Sequence, residues 1–261
     1  MNRLQRQEPS QMLNKVPEVT LSFWIIKILS TTVGETGADY LAVHAGLGTL
    51  VTDIVMASFL AVALFMQMRS RRFVPWVYWL TVVLLSIVGT QITDALTDGM
   101  GVSLYLSTAV FSVVLAVVFG AWYQRERTLS IHTIFTRRRE TFYWVAILLT
   151  FALGTASGDL ATEELSLGFR YGVLAFGGLI GLIYIAYLRG ANPVLTFWLA
   201  YILTRPLGAS LGDLLSQAPE YGGLGWGTVN TSIVFLAAIT SLVIMVSRNR
   251  SRMQSTHTYE R

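Results

Sequence analysis

The chain has no cysteine, few charges and little histidine. Without cysteine in its 261 residues, disulfides and thiolate metal sites are excluded. Charged residues make up 13% of the chain, where a soluble domain carries about 25%. His44, His132 and His257 are scattered, which argues against an all-histidine metal site. There is no glycine-rich phosphate-cradling loop, so the chain is not expected to hydrolyse ATP. The net charge of +4 comes from short basic clusters between apolar runs, not a nucleic-acid-binding face. What the chain does have is apolar: 53% hydrophobic residues and a mean hydropathy of +0.56.

A membrane helix needs about 20 mostly apolar residues. Eight segments meet that length: 19–41, 47–68, 76–96, 102–123, 142–160, 167–188, 194–215 and 227–246. None alternates as a membrane strand would. The first run is too long for a cleavable signal peptide and is expected to be retained. The predicted organisation is a segment at 1–18, one membrane domain at 19–247 and a polar, disordered tail at 248–261. Arg170, at the start of the 167–188 segment, is the one basic residue on its side of the membrane; the clusters around Arg69, Arg71 and Arg72, Arg137 to Arg139, and Arg248 to Arg252 share the other. Basic loops stay cytoplasmic, so both termini are expected inside, with the basic clusters against anionic lipid headgroups.

The odd-numbered segments repeat one another. Trp24, Trp79, Trp144 and Trp198 each follow an aromatic: Phe23, Tyr78, Tyr143 and Phe197. Ten residues on stand Gly34, Gly89, Gly154 and Gly208, and five further stand Asp39, Asp94, Asp159 and Asp213. Trp-x9-Gly-x4-Asp thus occurs four times and takes four of the six aspartates, while the even-numbered segments lack it. The repeats span about 19–68, 74–123, 139–188 and 193–247. A two-span unit returns the chain to its starting side, so the fold class expected is an all-α integral membrane protein: eight transmembrane helices as four parallel two-helix repeats, the motif helices lining the centre.

Each motif position suggests a role. The Trp reads as an interfacial anchor. The Gly reads as a packing contact, because Ala38, Thr93, Gly158 and Gly212 follow it by four, the small-xxx-small spacing; a short unwound stretch there is the alternative. The Asp lies about 22 Å beyond the Trp on a helix. An ionised carboxylate at that depth, near a helix C-terminus, needs compensation. Backward steps of four trace a ladder on one helix face: Glu35, Thr31 and Lys27 from Asp39; Thr90, Ser86 and Val82 from Asp94; Thr155, Phe151 and Ile147 from Asp159; Ala209, Arg205 and Tyr201 from Asp213. Asp39, Asp94, Asp159, Asp213 and Glu35, joined by Asp53 at similar depth, form the candidate ion site, with Lys27 and Arg205 as internal counter-ions. Thr32, Thr36, Gln91, Thr93 and Ser157 add neutral oxygens. Oxygen-only ligation suits a hard cation or a proton, and the four Asp are the candidate metal ligands. The alternative is that each Asp caps a turn or pairs with a fixed base.

The stretch Lys15-Val-Pro-Glu-Val-Thr, then Phe23-Trp24 and Thr31-Thr32-Val-Gly34-Glu35-Thr-Gly-Ala-Asp39, resembles a bacterial family of membrane proteins of unknown function. That family has four tandem repeats, each with two spans and a Trp. The resemblance covers nearly the whole chain and implies fold and topology but supplies no activity; a bacterial inner-membrane location is expected.

The expected function is transport of a small cation, a divalent metal such as manganese or magnesium being one candidate, with proton coupling. The alternative is a non-transporting assembly or sensor protein whose Asp residues are structural. A membrane enzyme is not expected, since nothing resembles a nucleophile–base pair. Expected partners are the lipid bilayer and a small cation or proton, with no nucleic acid and no cofactor beyond a bound cation; a homo-oligomer stays open.

Overall fold

The computed structural model describes residues 14–44 and 49–259, with side chains at 14–41 and 49–248. The described residues form eight long α-helices and no strand: α1 Leu21–His44, α2 Thr49–Arg69, α3 Pro75–Asp94, α4 Leu104–Glu126, α5 Arg137–Asp159, α6 Gly168–Leu188, α7 Pro193–Ser216 and α8 Thr228–Tyr259. Local chemistry sets their ends. Pro75 and Pro193 open α3 and α7, where a missing N–H costs nothing. Ser103, Thr136 and Asn192 cap α4, α5 and α7 by accepting from backbone N–H groups. The tail expected to be disordered from 248 instead continues α8 to Tyr259.

Seven of these helices are long and apolar enough to cross a membrane, which makes the chain a multi-pass membrane protein. The exception is α1, where Lys27, Glu35 and Asp39 interrupt the apolar run. Burial separates two rings. The apolar windows of α3, α5 and α7 are 67%, 61% and 56% buried, against 11–17% for α2, α4, α6 and α8. The motif helices therefore pack against one another in the order α1–α3–α5–α7 and back to α1. Each outer helix leans on the motif helix of the next repeat: α2 on α3, α4 on α5, α6 on α7, and α8 on α1. The last contact joins the two ends of the chain and closes the bundle.

At one end of the inner ring the aromatic pairs interlock. Each leading aromatic meets the Trp of the next motif helix: Phe23 to Trp79 at 5.6 Å, Tyr78 to Trp144 at 5.5 Å, Tyr143 to Trp198 at 6.3 Å, and Phe197 to Trp24 at 5.6 Å between centroids. This collar corrects the reading of the Trp as interfacial anchors. Trp79, Trp144 and Trp198 are buried, and Trp198 donates to the Leu129 carbonyl at 2.9 Å. Ring-on-ring packing between neighbouring helices holds them in place. Lys15 ties the same end together. Its Nζ lies 2.6 Å from Glu140 Oε2 and 3.0 Å from the Met68 carbonyl, so one buried ammonium serves the first turn of α5 and the last of α2.

Candidate functional site

The ladder inferred from the sequence is the bundle axis. All twelve of its side chains, from Lys27 to Ala209, are buried, none above 6% exposure. The motif glycines bring the helices close enough for this. A Cβ on Gly34 would overlap Ser86, one on Gly89 would lie 2.6 Å from Phe151 Cβ, one on Gly154 would overlap Arg205, and one on Gly208 would lie 2.6 Å from Thr31 Cβ. Ser86, Phe151, Arg205 and Thr31 all stand eight residues before their Asp, so the same contact recurs four times around the ring. Gly158 and Gly212 continue the seam, facing Pro206 on α7 and Glu35 on α1. The motif helices stay α-helical through their glycines. The backbone departs from α geometry one step later, in π-helical turns Ala95–Gly99 and Leu160–Glu164 directly after Asp94 and Asp159. Such turns within helices are frequent at functional sites.

Arg205 is the centre of the site. Its guanidinium is fully buried on α7 and reaches the other three motif helices. It donates to Glu35 Oε2 at 2.5 Å and the Thr31 carbonyl at 3.0 Å on α1, to Thr155 Oγ1 at 3.2 Å on α5, and to Thr90 Oγ1 on α3. Glu35, Thr90 and Thr155 are the ladder residues four before their respective Asp; the fourth is Ala209. Arg205 is thus the counter-ion of Glu35 and the polar tie of the ring.

Lys27 does not pair with a carboxylate. Its Nζ is 4.1 Å from the centre of the Phe151 ring and 4.2 Å from that of Tyr201, on the collar side of Arg205, and has no hydrogen-bond partner among the described residues. Two helical turns separate it from Glu35 along α1, so the rings, not a carboxylate, are what its ammonium meets.

Beyond Arg205 the carboxylates gather. Ligand atoms of Glu35, Asp39 and Asp213 lie within 4.8 Å of one another. Asp213 is buried, Asp39 is partly so, and Asp39 Oδ2 has no hydrogen-bond partner among the described residues. Asp94 and Asp159 are near enough to interact electrostatically with Glu35 and with each other. Asp53 does not join them: it is half-buried on the outer helix α2, with no described contact to the group. Glu163, in the π turn after Asp159, interacts with Asp39, Asp159 and Asp213 and was not singled out from the sequence. Its signal was there. Residues 94–98 and 159–163 both read Asp-x-x-Thr-acid.

Each motif helix with the plainer helix that follows it corresponds to one copy of a known sequence repeat. The Repeat of Unknown Function (DUF347) matches residues 22–73, 77–128, 142–191 and 196–251. The chain belongs to the DUF347 family. Each DUF347 copy carries one Trp-x9-Gly-x4-Asp motif, and the four copies supply the collar, the glycine contacts and the carboxylates in turn. The fourth copy alone places an arginine on the axis, and the first alone places a lysine and a glutamate there. No curated protein and no solved structure matches the chain.

Proposed function

We propose that the protein is a membrane transporter of a small cation, with a divalent metal such as manganese or magnesium as the candidate cargo and protons as the coupling ion. One observation carries this reading: Glu35, Asp39 and Asp213 offer three carboxylate oxygens within 4.8 Å of one another, a group that a single hard cation can bridge. Asp94, Asp159 and Glu163 surround that group with further carboxyl groups. Several carboxylates this close cannot all stay ionised without a cation or protons among them. A cation arriving there competes with Arg205 for Glu35, which gives the site two states.

In this reading α1 is an eighth span, held within the membrane by the seven apolar helices. All four repeats run in one direction, and both termini face the cytoplasm of a bacterial inner membrane, as the arginine-rich loops favour. The test is flux in proteoliposomes. Asp39→Asn and Asp213→Asn should abolish cation movement while the protein still inserts and folds. Undiminished flux with all four motif Asp replaced would overturn the proposal.

The hydrogen bonds from Arg205 to three other helices favour a second reading, a non-transporting assembly or sensor protein in which the polar axis holds the ring closed. There the Asp→Asn variants should lose stability, and no cation should raise the melting temperature.

A further inference from the structure

Among the described residues, Lys27 is the one basic side chain on the axis that the site above leaves unused. Its side chain is fully buried, and its three N–H donors meet no acceptor among the described residues. Two ring faces at 4.1 and 4.2 Å stabilise the ammonium by their quadrupoles without accepting a hydrogen bond from it. The hydroxyl of Tyr201 is likewise buried and unpartnered. An intramembrane ammonium held so weakly is costly, and such a group marks an ion or proton pathway by default. A buried lysine also changes protonation readily, which an arginine does not.

The groups around Lys27 are few. From α7 it faces Tyr201 and the charge of Arg205, and from α5 the Phe151 ring, with Tyr143 further toward the collar. From α3 comes Tyr78, whose hydroxyl is 2.5 Å from that of Tyr143. On α8, residues 228–247 carry no ionisable side chain. The ionisable residues of α2, Asp53 and Arg69, lie on the outer ring. Arg205 is therefore the charge that Lys27 feels, and Arg205 is neutralised by Glu35.

We propose that Lys27 carries the coupling proton, and that Arg205 relays the state of the carboxylate site to it. The proposal rests on the transport reading above. A cation bound to Glu35 withdraws that carboxylate from Arg205, whose positive charge is then uncompensated and repels the ammonium. The Nζ–H bond breaks with its electron pair left on the amine, and the proton passes to a water molecule admitted to the axis. When the cation leaves, Glu35 returns to Arg205 and the amine takes a proton back.

The experiment compares the wild type with Lys27→Arg and Lys27→Met. Arginine keeps the charge and the ring contact but holds its proton, whereas methionine keeps only the volume. In proteoliposomes with a pH dye and manganese, both variants should lose cation-driven proton movement. Lys27→Arg that still exchanges protons for manganese would overturn the proposal. A second measurement is independent of flux: melting temperature in detergent across pH. The gap between wild type and Lys27→Met should vary with pH, while the gap between Lys27→Arg and Lys27→Met should not. Three parallel curves would also overturn the proposal. A wild type that moves no cation defeats the transport reading and the coupling role with it, whereas transport in the wild type together with proton exchange in Lys27→Arg, or with parallel melting curves, defeats the Lys27 proposal alone.

Discussion

Arg205 and Glu35, 170 positions apart in the chain, form a buried ion pair at 2.5 Å on the axis of the inner ring. Breaking such a pair from one side strands a charge. Arg205→Met should therefore destabilise the protein by about 3–5 kcal/mol, and Glu35→Leu by a similar amount. The double variant, with no charge left to strand, should recover part of that loss. Melting temperatures of the three in one detergent check this. A double variant as unstable as the sum of the singles would mean that the two residues act separately.

Gly34 and Gly208 sit where a Cβ would strike Ser86 and Thr31 on neighbouring helices. Alanine at either should cost about 1–3 kcal/mol, the usual range for overpacking. Gly181, on the outer helix α6, has nothing within 4 Å of its Cβ position. Gly181→Ala should be neutral or stabilising, because alanine is the better helix former by up to about 1 kcal/mol. Equal losses at all three positions would refute the close-approach role of the motif glycines.

Helical period made much of this legible beforehand. The fourfold Trp-Gly-Asp spacing marked the inner helices, and steps of four from each Asp named the twelve axis residues. Contacts made across helices were not legible. Arg205 stands one layer before Thr90 and Thr155 in the alignment, yet its long side chain reaches them. The leaning of α8 on α1 is a closure that no local pattern encodes. The Trp misled for a related reason: an indole suits a lipid interface and an aromatic collar equally, and only neighbouring rings decide. Glu163 was passed over because it reads as a loop residue until the π turn places it beside the site.

Among the described residues, Lys15 and Glu140 form the other deeply buried pair, each 1% exposed, where the N-terminal segment meets α2 and α5. Solvent and salt have little access there, so the pair should resist screening. Glu140→Gln should lower the melting temperature equally at low and high salt. By contrast, Glu126 is paired with Arg138, which is 60% exposed, and with Arg139. Glu126→Gln should have a smaller effect, fading as salt rises.

The carboxylate group makes a prediction that needs no transport assay. A cation that binds the folded state raises stability by mass action, about 2.7 kcal/mol at one hundred times its dissociation constant. Manganese or magnesium should therefore raise the melting temperature of the wild type, and a chelator should reverse the effect. Asp213→Asn and Asp39→Asn should abolish the shift, because each removes one of three ligand groups lying within 4.8 Å. Asp53→Asn should leave it intact, because Asp53 lies apart on the outer ring. The comparison matters because all three substitutions remove one ionisable carboxyl group. A shift lost equally in all three would point to a general attraction of cations to an acidic bundle. A shift lost only at Asp39 and Asp213 requires a site of defined geometry.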